Sequence, residues 1–197
     1  ITGTGEPERV SGDRVSWSYF RTLGVRPALG RDFLPEEDVP NRNQVVILSH
    51  ALWQRRFGGD SAVVGRAVSI NGNPATVVGV MPPSFDNVVS PDATIWRVLG
   101  YADQPFACRT CHHLRMIVRL RDGVSPKSAG TALDAIHARL LKDHPKDYAW
   151  VGRTVVPMQF EATGMFRPAL AALVAAVLLV LLIAVAKALS LAVIAFG

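Results

Sequence analysis

One stretch near the carboxyl end constrains this chain more than any other. From Ala169 to Ala186 the sequence reads ALAALVAAVLLVLLIAVA, eighteen apolar residues without a polar side chain. A helix rises about 1.5 Å per residue, so a helix of this length matches the roughly 30 Å hydrocarbon core of a bilayer. A buried helix of a soluble protein is the alternative, but such helices are seldom apolar on every face. The stretch predicts a transmembrane helix over residues 167–197.

The composition of the remaining chain argues against nucleic-acid binding. All sixteen acidic residues and nineteen of the 21 basic ones precede residue 167, which leaves a mild positive excess. The arginines are scattered, whereas nucleic-acid binding needs a clustered basic stripe with interleaved aromatic residues. A solvated surface is the simpler interpretation, and an anionic partner or lipid surface is the alternative. The 197 residues suffice for one sizeable domain or two small ones that share a core.

The clearest local elements lie between Gln44 and Pro83. Val45 to Leu48 are a short apolar run that predicts a buried strand. Ser49 is placed to cap a helix with the sequence HALWQRRF, and Gly58-Gly59 to end it. Asn71-Gly72 separates two β-prone runs, and this dipeptide supplies the positive φ angles of a tight hairpin turn.

The stretch from Leu114 to Met158 predicts a strand, a helix and a second strand. Apolar and basic side chains alternate from Leu114 to Leu120, the period of a half-buried strand. Ser125 is placed to cap a helix that His144-Pro145 ends, and Val151 to Met158 is expected to return as a strand. This order is half of a split β-α-β unit. The residues at helical spacing on one face are Ala129, Ala132, Leu133, Ile136 and Leu140.

The amino-terminal stretch gives weaker signals. Val15 to Leu23 predicts a short helix that turns Trp17, Phe20 and Leu23 inward. Pro35 to Asp38 reads PEED and predicts an exposed acidic turn.

The sequence lacks the common signatures of catalysis and nucleotide binding. It contains no GxxxxGK[ST] loop, no GxSxG elbow and no HExxH helix. The consecutive acids Glu36, Glu37 and Asp38 share one loop, whereas acid–base pairs face each other across a cleft. His50 and His137 lie at helix positions and are interpreted as ordinary core or surface residues. The sequence thus predicts no catalytic centre and no cofactor.

Both cysteines lie in one short motif, Cys108-Arg109-Thr110-Cys111-His112-His113. The spacing allows a disulfide across a small loop, metal ligation, free thiols or a redox pair. A tetrahedral metal site needs four ligands, and four side chains so close in sequence point in diverging directions. A redox cysteine is usually activated at a helix amino terminus, whereas this motif precedes a predicted strand.

Several longer segments together resemble a known family. They begin with SYFRTLGVRPALGRDFLPEED at Ser18 to Asp38 and continue with Val45 to Asp60, Val64 to Phe85 and His113 to Leu140. In this order they are similar to the MacB-like periplasmic core domain of ABC-transporter permeases of the MacB/FtsX type. Within that family they are most similar to the duplicated permeases of acidobacteria. The run after Arg167 resembles the start of the FtsX-like permease region.

The resemblance implies an α+β fold with a defined division of the chain. Residues 1–166 would form the core domain, and residues 167–197 the first part of the permease region. Within the core, an inserted small α/β subdomain would span about 30–99, and residues 1–29 with 114–160 would form a porter-like β-α-β subdomain. The family has a helix before this domain and a bundle after it, so the chain is expected to be part of a longer permease.

The resemblance also implies a place and a function. Permeases of this family hold the domain outside the cytoplasm, so residues 1–166 are expected on the periplasmic side of the bacterial inner membrane. The domain would be non-catalytic and would change conformation as a cytoplasmic partner hydrolyses ATP. The implied partners are the ABC ATPase subunit, the remaining transmembrane helices, a second permease copy, membrane lipid and a periplasmic adaptor, with no nucleic acid.

An oxidising periplasm favours one interpretation of the cysteine motif. Paired cysteines in that compartment usually form disulfides, so Cys108 and Cys111 are expected to be joined. The alternative function is a membrane-anchored metal- or thiol-dependent protein centred on this motif, with Cys108, Cys111, His112 and His113 as ligands.

Overall fold

A mixed six-stranded sheet organises the first part of the chain. The computed structural model describes residues 1, 6–101, 111, 114–149, 152, 154–163 and 166–196. The chain divides into two units, Ile1–Val155 and Val156–Gly197. The strands of the first unit are β1 (Gly12–Val15), β2 (Leu29–Gly30), β3 (Val45–Leu48), β4 (Ala67–Ile70), β5 (Asn73–Val80) and β6 (Ile95–Val98). Its helices are α1 (Tyr19–Leu23), α2 (His50–Phe57), α3 (Pro126–Asp143) and α4 (Pro145–Tyr148).

The sheet has the strand order β1-β6-β3-β5-β2, with β4 also paired to β5. Strands β1 and β6 are parallel, as are β3 and β5, whereas β3 and β6 are antiparallel. The long strand β5 pairs antiparallel with β4 along its first half and with β2 at its end. The α+β fold predicted from the sequence is confirmed.

Local sequence signals account for the centre of this sheet. The predicted strand at Val45–Leu48 is β3, and the predicted helix after it is α2. The Ser49 hydroxyl accepts a hydrogen bond from the Leu52 N–H at 3.1 Å, and Gly58 ends α2 with φ +62°. Asn71 and Gly72 join β4 to β5 with φ angles of +52° and +81°, as a two-residue hairpin turn requires.

The sheet is buried on both faces. Alternation along β3 sends Val46 and Leu48 to one core and Ile47 to the other, the period of two that a strand imposes. The first core packs beneath α2 and includes Leu52 and Phe57. The second core lies on the side of α1 and contains the fully buried Phe20, Phe33 and Trp96.

The predicted helix after Ser125 is also confirmed, but its surroundings differ from expectation. The Ser125 hydroxyl accepts a hydrogen bond from the Ser128 N–H at 3.1 Å, and α3 ends at Asp143 before His144. No residue of α3 is fully buried, and Ile136, one of the residues on the predicted apolar face, is 51% exposed.

The two strands predicted on either side of α3 are wrong where the structure describes them. Residues 114–120 have no regular secondary structure, and the same holds for residues 154–157. Met158 opens α5 (Met158–Thr163). A strand needs a hydrogen-bonded neighbouring strand, and Pro157 has no N–H to donate to one. Proline is instead well suited to precede or begin a helix. Val151 and Arg153, also in the predicted second strand, lie outside the described residues.

The prediction of a helix near the amino terminus is confirmed for the burial of Phe20 and is wrong in the residues at which the helix begins and ends. The predicted helix over Val15 to Leu23 is shorter, because Val15 ends β1 and α1 begins only at Tyr19. Trp17 and Leu23 are half-buried rather than inward. Strands β1 and β2 pair with β6 and β5, so the sheet contains residues on both sides of residue 30, and the predicted division into subdomains stays a prediction.

The PEED turn is less solvated than predicted. Pro35–Glu37 form a 3₁₀ turn, and Glu37 accepts hydrogen bonds from Arg31 and from the Leu34 N–H. The two carboxylate oxygens of Asp38 accept from the Trp17 N–H at 2.9 Å and from the Gly100 N–H at 2.7 Å. Asp38 therefore ties the segment before α1 to the chain that leaves β6.

The second unit consists of α5 and the long helix α6 (Arg167–Phe196). Its span Pro168–Val185 has a mean hydropathy of 3.0, and all eighteen of its residues are exposed. Among the described residues, α6 is the one helix long and apolar enough to cross a membrane. The predicted apolar helix is thus confirmed in position and composition.

Candidate functional site

Helix α1 is the point where several parts of the first unit meet. It is five residues long, and it is capped by Gly24, whose φ of +76° is the left-handed conformation that glycine adopts without strain. Four consecutive residues of α1 contact other parts of the unit through a side chain or a carbonyl. They are Tyr19, Phe20, Arg21 and Thr22.

Phe20 anchors α1 to the second core. Its ring is fully buried, and its centroid lies 5.6 Å from that of Phe85 and 5.6 Å from that of Trp96, both in edge-on geometry. The Phe33 ring lies 6.1 Å away on another side. Edge-on aromatic pairs at these distances add to the free energy gained by burying apolar area.

Tyr19 connects α1 to the loop between β5 and β6. Its hydroxyl donates a hydrogen bond of 2.9 Å to Oδ1 of Asn87, a buried amide. Burial and the nearby Asp13 carboxylate raise the pKa of Tyr19 to about 12. The phenol therefore stays protonated at neutral pH and serves as a hydrogen-bond donor.

Arg21 packs on the outer side of α1. Its guanidinium lies 5.1 Å from the centroid of the Trp17 ring, and its Nε lies 3.7 Å from a carboxylate oxygen of Asp32. Burial raises the pKa of Asp32, while a hydrogen bond from the Phe33 N–H and the charge of Arg21 oppose that rise. These contacts hold α1 against the turn that follows β2.

Thr22 connects α1 to the segment that follows the sheet. The Nε of Arg119 donates a hydrogen bond of 2.9 Å to the Thr22 carbonyl at the end of α1. A Cβ at position 24 would lie 2.7 Å from the Arg119 guanidinium, so another residue there would displace this side chain, and the φ of +76° would strain it. A cation near carbonyls at the end of a helix is favourable.

The segment held by Arg119 exposes a row of apolar side chains. Leu114 is 55% exposed, Met116 is 73% exposed and Val118 is 53% exposed. Beside this segment in sequence, the first half of α3 and residues 154–155 line an open cleft of about 290 Å³. Its lining residues are Lys127, Gly130, Thr131, Leu133, Asp134, Thr154 and Val155. We call residues 114–124 the linker segment, because it lies between the sheet and α3.

Removal of the Arg119 side chain is expected to destabilise the first unit measurably. Arg119→Ala deletes the bond to Thr22, and we expect the free energy of unfolding to fall by about 1 kcal/mol, the usual net contribution of such a bond. Urea denaturation followed by tryptophan fluorescence measures the change. Arg121→Ala is the matched control, since Arg121 is equally exposed and its side chain makes no hydrogen bond or ion pair within the described residues. An equal effect of both variants would contradict the contact with α1.

The cysteine motif lies largely outside the part of the chain that the structure describes. Cys108, His112 and His113 are outside it, so the predicted disulfide and the alternative metal ligation both stay predictions. Cys111 is described and exposed, and no free cysteine is found in the described part. Within the same residues no group of three or more histidine, cysteine or acidic side chains could hold a metal ion.

The other residues weighed from the sequence have local contacts. His50 opens α2 and its ring lies 5.4 Å from the Trp53 ring, while the His137 ring lies 6.3 Å from that of Tyr148. The role of α1 as a junction was not predicted. The sequence signal for this role was the alternation of basic and apolar residues that includes Arg119. That alternation was interpreted as the outer face of a strand.

Comparison with known proteins gives a family for most of the chain. A sequence model described as the MacB-like periplasmic core domain matches residues 1–136. A macrolide export ATP-binding/permease protein MacB from Chromobacterium violaceum is 29% identical over 122 residues, which are 62% of this chain and 18% of that protein. The MacB protein of Burkholderia cenocepacia is 29% identical over 84% of this chain and 24% of its own length.

Other relatives are similar over comparable stretches. A probable syringafactin export ATP-binding/permease protein from Pseudomonas syringae is 29% identical over 68% of this chain and 20% of its own length. The crystal structure of the periplasmic region of MacB from Actinobacillus actinomycetemcomitans aligns with 68% of this chain and 56% of its own, with a TM-score of 0.44 and 22% identity. The chain spans about a fifth of the length of these curated relatives.

Proposed function

Since the chain belongs to the family of MacB-like periplasmic core domains, we propose that it is the extracytoplasmic domain and membrane anchor of an ABC-transporter permease. In this role it couples ATP hydrolysis by a cytoplasmic partner to a change of conformation in the cell envelope. The relatives' names concern export, so the process is transport across or within the envelope. The domain itself supplies no chemical step.

One observation carries the proposal. The chain joins the first unit, which contains the sheet and is called the sheet unit below, to a helix with an exposed apolar span of eighteen residues. The family model matches residues 1–136. Exposed apolar surface of this extent is unfavourable in water and is covered by lipid when the helix crosses a bilayer. The order of the two parts is the order expected for a domain that moves with a membrane helix.

The contacts of α1 suggest how movement would reach the sheet. The chain leads from the sheet through the linker segment to α3, and Arg119 ties that segment to the Thr22 carbonyl. Phe20 in turn fixes α1 in the second core. A displacement of the linker segment would therefore be transmitted through a short, packed helix rather than through a flexible loop.

Distance measurements during ATP turnover test the proposal. We would place spin labels at the exposed residues Asn73 in β5 and Phe166 beside α6, in a permease that contains this chain and with its cytoplasmic ATPase. The distance between the labels is expected to change when ATP is hydrolysed. A label pair at Asn73 and Arg26 within the sheet unit is the control and should keep its distance. An unchanged distance between labels 73 and 166 during hydrolysis would contradict the proposal.

A further inference from the structure

The first strand of the sheet offers an open edge. β1 pairs with β6 on one side, and no described strand pairs with its other side. Gly12 and Arg14 of this strand are exposed. An edge strand presents a row of N–H and C=O groups that another extended chain can pair with.

Two arginine side chains lie next to each other beside this edge. Arg14 of β1 is in register with Arg97 of β6, and residues paired in this way project from the same face of a sheet. Arg97 is half-buried and donates a hydrogen bond of 3.3 Å to the Asn43 carbonyl, but its Nε is buried without a hydrogen-bond partner. Burial and the neighbouring charge of Arg14 lower the pKa of Arg97.

No carboxylate of the described residues neutralises this pair. The ion pairs of that part of the chain engage Glu8, Asp32, Glu37 and Asp60 with other arginines. Asp13 lies between Gly12 and Arg14 and projects from the opposite face, where its charge acts on Tyr19. Two cations on neighbouring strands repel each other, and an anion at the exposed guanidinium of Arg14 would offset that repulsion, whereas the buried Nε of Arg97 is not accessible to it.

We infer that the β1 edge binds an extended acidic segment of a partner protein, with a carboxylate against Arg14. The partner's main chain would pair with the free edge of β1, the mode by which a peptide adds a strand to an existing sheet. Guanidinium groups bind carboxylates in a planar, bidentate geometry that an ammonium group does not reproduce. A phosphate or a lipid headgroup would neutralise the arginines but leave the edge unpaired.

Binding at this edge would depend only on the register of β1 and β6 and on the charges beside them, and not on a role in transport.

Peptide binding to the full chain in detergent micelles tests the inference. The probe is a fluorescent peptide of alternating valine and glutamate, and the comparison peptide has glutamine in place of glutamate. Fluorescence anisotropy gives the dissociation constants. Arg14→Glu is expected to weaken binding of the acidic peptide roughly tenfold, within the range for hydrogen bonds to charged groups. Arg26→Glu makes the same charge change before β2 at the other edge of the sheet and is expected to have little effect.

Each outcome decides for or against the inference. Binding of the acidic peptide that Arg14→Glu weakens and Arg26→Glu does not would support it, provided that both variants keep the melting temperature of the unaltered chain. Equal binding of the glutamine peptide, or equal loss in both variants, would overturn it. Saturable binding of inorganic phosphate without peptide binding would also overturn it. So would a change in oligomeric state on Arg14→Glu alone, since that would assign the edge to a second copy of this chain.

Discussion

Phe20→Ala is expected to lower the free energy of unfolding of the sheet unit by about 3–5 kcal/mol, the cost of removing a buried aromatic ring. The ring is fully buried, and Phe85, Trp96 and Phe33 surround it. Helix α1 has five residues, too few to be stable without tertiary packing. The loss therefore includes both the cavity and the anchor of the helix. Since small domains are stable by about 5–15 kcal/mol, this is a large share of the total.

Thermal unfolding followed by circular dichroism measures this effect. We expect the melting temperature to fall by roughly 10 °C or more for a loss of this size. Phe20→Leu keeps most of the side-chain volume and is the matched control, with an expected cost below about 1.5 kcal/mol. A loss below about 0.5 kcal/mol for Phe20→Ala, within the usual range for surface substitutions, would contradict the packing of α1 in the second core.

The same substitution should weaken the contact that holds the linker segment. The Thr22 carbonyl lies two residues after Phe20 in the same short helix, and it accepts the hydrogen bond from Arg119. When α1 loses its anchor, that carbonyl loses its fixed position. Residues in one connected network show non-additive effects, so Phe20→Ala combined with Arg119→Ala should cost less than the two separate losses together.

Elements specified by local chemistry were predictable from the sequence. Ser49 and Ser125 cap α2 and α3 through their own side chains, and Asn71-Gly72 adopts the positive φ angles that its hairpin needs. Each of these signals involves residues within four positions of one another. The apolar span of α6 belongs to the same class, because its composition alone distinguishes it from the helices of the sheet unit.

Elements that depend on distant partners were not predictable. The linker segment has the alternation of a strand, but alternation shows only an extended chain, and pairing needs a neighbour. β1 and β2 belong to the sheet because β6 and β5 pair with them, a relation that spans more than forty residues and leaves no local trace. The carboxylate of Asp38 similarly meets the Gly100 N–H across 62 positions.

Two arginines in the middle of α6 are expected to prevent its insertion into a membrane. Val177 and Leu178 lie near the centre of the apolar span Pro168–Val185. An arginine at the centre of a transmembrane helix costs about 3 kcal/mol on insertion scales, so Val177→Arg with Leu178→Arg should cost roughly 6 kcal/mol. We expect the unaltered chain to remain in the membrane pellet after alkaline carbonate extraction and the double variant to be released.

Placing the two arginines at a different depth in α6 distinguishes a helix that crosses a membrane from a helix that is buried in protein. Ala169→Arg with Leu170→Arg adds equal charge at the start of the span, where long side chains reach the headgroups at little cost. This control variant should stay in the pellet. A helix packed against protein would show no such dependence on depth, because the cost there follows the local neighbours rather than the distance from the bilayer centre. Retention of both variants, or release of the unaltered chain, would therefore contradict a membrane-spanning α6.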